Sequence, residues 1–193
     1  MEKNTILVGA VLLIVGVGLG YMISASNTSV SGTHMMSGGM MMSQNIDEHF
    51  IVQMIPHHEG AIEMAKVALE RSKRPEVLSL AQGIIEAQTR EINDMTSWYR
   101  SWFGSMPPAG GMGMMMEGMT GDTDELARIA DAEFDREFIE QIIPHHEMAI
   151  MMANMLAATT VRLEMKQLAD QIITSQSREI EKMRGWHVSW YGL

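Results

Sequence analysis

Two histidine pairs carry the clearest chemistry in this sequence. His57-His58 and His145-His146 each sit inside the same five residues, Ile-Pro-His-His-Glu, at Ile55 to Glu59 and Ile143 to Glu147. Imidazole is the commonest metal ligand among side chains. Four of them in matched positions are too polar to bury without partners or a bound ion. Methionine sulfurs lie around them. Met54 precedes His57 by three residues and His58 by four, so the three share a helix face. Met64 lies two turns beyond His57, Met152 is its counterpart after the second pair, and Met148 follows His145 by three residues. The candidate ligands are therefore His57, His58, His145, His146, Met54, Met64, Met152 and Met148, with Met151 and Met155 adding sulfurs nearby. Ile142 stands where Met54 would recur, so the two half-sites are expected to differ. The competing expectation is a hydrogen-bonded network, in which the imidazoles are satisfied by Gln88, Glu91, Gln176 and Glu179 on partner helices.

Ligand type selects the ion. The chain holds 22 methionines in 193 residues and no cysteine. Thioether sulfur is soft, neutral and needs no deprotonation, so it prefers Cu(I) and Ag(I) to Zn²⁺, Mg²⁺ or Ca²⁺, and imidazole extends the choice to Cu(II). Thioethers also persist in oxidising compartments where thiols pair. Copper is the expected ion, silver the close mimic. A carboxylate-bridged iron site is disfavoured, because the Glu-x-x-His pattern of such bundles occurs nowhere. The net charge of −10 argues against nucleic acid as a partner. No phosphate loop, Ser/His/Asp order or cysteine nucleophile is recognisable, so no enzyme is expected. Met165 and Met183 read as core fillers.

An internal repeat must position these residues. Residues 46–103 align with 134–191 at a constant offset of 88, with 27 of the 58 pairs identical. Duplication follows. With Ile51 at heptad position a, apolar residues fill a, d, e and g. His58 falls in the middle of that stripe, His57 on its flank, and Glu59 and Glu147 turn outward. Each unit reads as a helical hairpin. Asn45 with Glu48, and Asp122 with Glu125, form capping-box patterns. Pro75 suits the first position of a second helix, Gly104 stops it, and Thr160 divides the second unit. Pro56 and Pro144 either kink their helices or break them. The expected fold is all-α: two repeated hairpins forming an antiparallel four-helix bundle.

Ahead of the repeat, Ile6 to Ile23 is an uncharged apolar run after Lys3, long enough to cross a bilayer. A single retained transmembrane helix is favoured over a cleaved signal, for which Ser24 and Ser26 are the small-residue candidates. The expected organisation is an anchor at 1–26, a flexible Met/Gly/Ser linker at 27–44, the first hairpin at 45–103, a Met/Gly-rich loop at 104–121 and the second hairpin at 122–193. The chain beyond the anchor is expected outside the cytoplasm, in a periplasm or at the cell surface.

The doubled Ile-Pro-His-His-Glu block, with Met64-Ala65 and Met152-Ala153 downstream, resembles the bacterial family named domain of unknown function 305, over about residues 46–191. The resemblance implies a ferritin-like helical fold and, from some members, periplasmic copper binding at His and Met positions linked to copper resistance. The expected function is soft-metal buffering or transfer, with metal ions, the membrane and a copper-transfer protein as partners. The alternatives are a metal oxidase using the histidine cluster, and a membrane-anchored interaction module without metal.

Overall fold

The structure is a computed structural model and describes residues 33–109 and 123–192. All regular structure among them is helical: α1 (Thr33–Arg71), α2 (Pro75–Phe103), the short α3 (Thr123–Arg128), α4 (Phe134–Thr159) and α5 (Leu163–Tyr191). The apolar N-terminal segment and residues 110–122 lie outside the described residues. Among the described residues no helix is long and apolar enough to cross a membrane.

α1 packs on α2, α4 packs on α5, and α1 packs on α4. The apolar stripes bury into two clusters at opposite ends. One joins Ala61, Met64 and Ala68 of α1 to Val77 and Ile84 of α2, Leu126 of α3, Phe134, Phe138 and Ile142 of α4 and Met183 of α5. The other joins Ile51 and Met54 of α1 to Met95 and Tyr99 of α2, Ala149 and Leu156 of α4 and Met165 and Ile172 of α5. Along every long helix the same order holds: one cluster, then two or more polar residues, then the other cluster. The buried polar residues between them are His57, His58, Gln88, His145, His146 and Gln176. A histidine–glutamine layer thus divides the apolar interior.

The turns explain where the helices stop. Ser72 Oγ accepts a hydrogen bond from the Arg74 amide, and Pro75 opens α2; Thr160 Oγ1 does the same for the Arg162 amide ahead of α5. α2 ends on Gly104 at φ 73°, a left-handed conformation that glycine alone adopts without strain. A Cβ added there meets no atom within 4 Å, so a Gly104→Ala substitution isolates backbone strain from crowding. It is expected to cost about 1 kcal/mol, read as a melting temperature lower by about 2–4 °C. An unchanged melting temperature would show that this helix end contributes nothing to stability.

The structure departs from the sequence expectation in two places. The helix carrying the first histidine pair starts at Thr33, so residues 33–44, expected as a flexible linker, are helical and the Asn45 pattern lies inside α1. Methionine is a strong helix former, and five of the residues in 33–44 are methionine. The first helix of the second hairpin, expected to open near residue 122, is instead divided between α3 and α4. Arg71 causes the break. Its guanidinium donates to the carbonyls of Leu126, Ala127 and Ile129, and to Asp131, capturing the groups that end a helix. Pro56 and Pro144 lie inside continuous helices, so neither starts a new element.

Candidate metal centre

The repeat places each histidine pair inside its hairpin's first helix, α1 or α4, between the two apolar clusters. Because α1 and α4 pack together, the two pairs meet. The rings of His57 and His145 lie against each other with centroids 3.7 Å apart and planes tilted by 42°. His58 and His146 flank them, each just over 6 Å from its sequence neighbour. All four are buried, His58 and His146 completely.

The outer pair is held from α2 and α5. His146 Nε2 shares a hydrogen bond of 2.7 Å with Glu179 Oε2. His58 Nε2 lies 2.7 Å from Glu91 Oε2, close enough for an ion pair but off the axis of a good hydrogen bond. Glu91 and Glu179 are equivalent in the repeat. A carboxylate on Nε2 fixes the tautomer with the proton there and leaves Nδ1 as the ring's lone-pair donor. Nδ1 of both His58 and His146 is buried without a hydrogen bond among the described residues. This is the arrangement by which carboxylates orient imidazole ligands of a metal.

The inner pair differs. Neither nitrogen of His57 has a hydrogen bond of good geometry among the described residues. Burial holds its pKa down at about 2, helped by the neighbouring charges of His145, His58 and His146 and opposed by the His145 backbone. His57 therefore stays neutral far below the pH at which a solvated histidine charges. A neutral imidazole is the metal-binding form, so its donor lone pair remains in mildly acidic surroundings. Gln88 Oε1 and Gln176 Oε1 are likewise buried without a hydrogen bond among the described residues. Buried polar atoms left in this state are uncommon in native interiors, and an unfilled ion site is one of the few reasons for them.

The donor set fits a borderline or soft cation in type. Among the described residues, however, no three His, Asp or Glu side chains converge as a preformed cage. The expected four-histidine cluster is present as a layer: one central pair with two carboxylate-held histidines beside it. The network expected as the competing arrangement is thus partly present too, through Glu91 and Glu179.

The methionines divide. Met54 is fully buried in the cluster with Ile51 and Met95, and Met64 is fully buried in the opposite cluster, so each packs the core on one side of the layer. Met152 and Met148 are only partly buried. Met165 and Met183 are core residues, as their positions imply. Glu59 and Glu147 are exposed, and Glu147 pairs with Arg184.

One feature escaped the sequence reading. Arg162, in the turn of the second hairpin, pairs at 3.1 Å with the buried Asp47 of the first and lies 4.0 Å over the Trp102 ring. Arg74, in the turn of the first hairpin, pairs at 3.2 Å with Asp135 of the second and lies 4.2 Å over Trp190. Asp47 and Asp135, Arg74 and Arg162, and Trp102 and Trp190 are all equivalent in the repeat. The identities were visible at offset 88; their crossing between hairpins needs three dimensions. These reciprocal clasps hold α1 and α4 together and so hold His57 against His145.

Comparison with known proteins places the geometry. The profile of the family described as Domain of unknown function (DUF305) matches residues 47–187. The chain is similar to CopM in its Cu(II)-bound form, at 50% identity and a TM-score of 0.70 over 75% of this chain and 97% of that one. CopM in its Cu(I)-bound form matches at 47% identity and a TM-score of 0.67, over 75% and 97% of the two chains. A DUF305 protein of Streptomyces coelicolor, described as a candidate secreted protein, matches at 26% identity and a TM-score of 0.64 over 72% of this chain and 88% of that one. A curated relative, the uncharacterized protein L153 of Acanthamoeba polyphaga mimivirus, is 45% identical over 51 residues, 26% of this chain and 34% of its own length. The match thus spans about a third of that relative.

Proposed function

Starting from the fact that the chain belongs to the DUF305 family, whose label assigns no activity, we propose that it binds copper, as Cu(I) or Cu(II), at the buried histidine layer. The two hairpins are read as one antiparallel, ferritin-like four-helix bundle with the layer at its centre. The protein buffers or passes the ion outside the cytoplasm, tethered by its N-terminal segment, and delivers it to a partner protein or withholds it as a resistance device. It is a binding protein and not an enzyme.

The observation that carries this reading is that both ring nitrogens of His57, and Nδ1 of His58 and of His146, are buried without a hydrogen bond of good geometry among the described residues. Solved structures of CopM with Cu(I), Cu(II) and silver support it from outside the chain. The layer's chemistry supports borderline Cu(II) as well as soft Cu(I), because imidazole serves both.

The test is an anaerobic Cu(I) titration against a competing chelator, paired with thermal melts. Ligand binding to the native state at about a hundredfold excess over Kd stabilises by about 2.7 kcal/mol, so the melting temperature is expected to rise. An unchanged melting temperature and no competition with the chelator would sink the proposal. They would favour the second reading, a polar layer that only sets helix register, for which the His146–Glu179 hydrogen bond already speaks. Copper-dependent oxygen uptake with turnover would instead make the protein an oxidase.

A further inference from the structure

Met148, Met151, Met152 and Met155 follow one another at spacings of three, one and three residues, and so line one side of α4. A methionine stripe at this spacing ordinarily faces a core. Here Met151 is 52% exposed and Met155 59% exposed, while Met152 and Met148 are half-buried. Core filling accounts for none of the exposed sulfurs. The equivalent positions on α1 are Gly60, Glu63, Met64 and Val67, so the stripe belongs to the second hairpin alone.

Across from the stripe, α1 supplies a histidine. A cleft of about 180 Å³ between α1 and α4 is lined by His49, Phe50 and Gln53 on one side and Met152, Met155 and Leu156 on the other. His49 is exposed and stands two turns ahead of the buried pair. At the repeat-equivalent positions at the other end the chemistry is gone. Glu137 replaces His49 and is hydrogen-bonded by Gln141, Val67 replaces Met155, and Leu126 of α3 packs into the cluster that buries Met64 completely. At one end α3 thus covers the equivalent positions, with Leu126 and Met64 fully buried, and at the other an open cleft carries an imidazole and two thioethers.

We propose that His49, Met152 and Met155 form a second, solvent-accessible site for a soft monovalent cation, Cu(I) or Ag(I), from which Met148 leads to the buried histidine layer. The proposal rests on the reading that this protein handles soft cations, and it adds where they are first captured. One imidazole and two neutral thioethers make a donor set that favours Cu(I) and Ag(I) over harder ions. Neutral sulfur keeps no charge that a passing Zn²⁺ or Ca²⁺ would seek. His145, Met148, Met152 and Met155 fall within roughly 80° of arc along about 15 Å of helix. The stripe therefore runs from the cleft to the ring that faces His57.

The test uses the full chain carrying ¹³C at its methionine methyl groups, titrated with Ag(I). Single Met→Leu variants assign Met148, Met152 and Met155. The expected result is that the Met152 and Met155 methyl signals shift together in the first additions, ahead of Met54 and Met64. In a His49→Ala variant the affinity read from those two signals falls at least tenfold. Because that histidine is exposed, the variant keeps its fold, checked by its melt. If Met152 and Met155 stay unshifted while the histidine layer binds silver, the second site is overturned and the copper-binding function stands. If they shift with unchanged affinity in His49→Ala, the assigned ligand set is overturned. If no signal moves and no silver binds, both readings fall.

Discussion

Replacing His57 and His145 together by leucine is expected to weaken copper binding at the buried layer by on the order of a hundredfold or more, while leaving the metal-free protein as stable as before. The size follows from the roles assigned to them. Even an outer-shell partner of a metal ligand is worth about 10–100-fold in affinity, and this change removes two donors at once. The stability expectation has a separate cause. Replacing both members of a buried polar pair by apolar groups of similar shape is nearly neutral or stabilising, and the two rings lie against each other. Both histidines lie between two apolar clusters. The pH profile supplies a third readout. His57 is held neutral in the folded protein down to about pH 2, whereas in the unfolded chain it takes up a proton near pH 6.5. The unfolded state therefore binds more protons between those limits, so wild-type stability is lost as pH falls below about 6.5. The leucine variant should show a shallower decline. Chelator competition and metal-free melts between pH 7 and 4 measure all three. Retained affinity would remove these two residues from the ligand set.

An Arg162→Ala variant is expected to lose about 3–5 kcal/mol of stability, and the equivalent Arg74→Ala appreciably less. The two arginines make the same contacts by repeat symmetry but meet different burial. Arg162 answers a carboxylate that is fully buried; the side chain paired with Arg74 keeps 17% of its surface exposed. Removing one partner of a buried pair leaves an uncompensated charge, whose cost has the magnitude given above. Burial pushes the Asp47 pKa up, while Thr160 and Arg162 pull it down. Loss of Arg162 raises it further, so the penalty is greatest at neutral pH and fades as Asp47 protonates in acid. Denaturant melts of both variants at pH 7 and pH 4 check the order and the sign. Equal losses for the two would show that burial of Asp47 does not distinguish the clasps.

Much of this architecture was legible in the sequence because duplication states the same pattern twice. The all-helical fold, the hairpin turns at Pro75 and Thr160 and the burial of both histidine pairs follow from periodicity, which depends only on neighbours along one helix. The break between α3 and α4 was not legible. It arises from Arg71, more than fifty residues away in the chain, taking the carbonyls of Leu126, Ala127 and Ile129. The start of α1 was missed for the opposite reason: glycine and serine suggested a linker, while the methionines between them favour helix. At the site, spacing put Met54 beside the histidines, and the structure buries it fully with Ile51 and Met95. Exposure, invisible to periodicity, separated Met151 and Met155 from the methionines that fill the interior. The carboxylate partners could be named from their i, i+3 recurrence on α2 and α5, but spacing could not say which nitrogen each would hold.

The end covered by α3, with Leu126 buried there, and the open cleft at the other end have a consequence for symmetry. Two identical hairpins assembled as a dimer would have identical extremities, and neither could be distinguished from the other by an approaching ion. Fusing the copies into one chain released that constraint. The clasps preserve the paired core, while the outer surfaces diverge: sulfur and imidazole gather at one extremity, and a short helix closes the other. The molecule thereby acquires two unlike extremities, which the symmetry-related ends of a two-fold dimer cannot be.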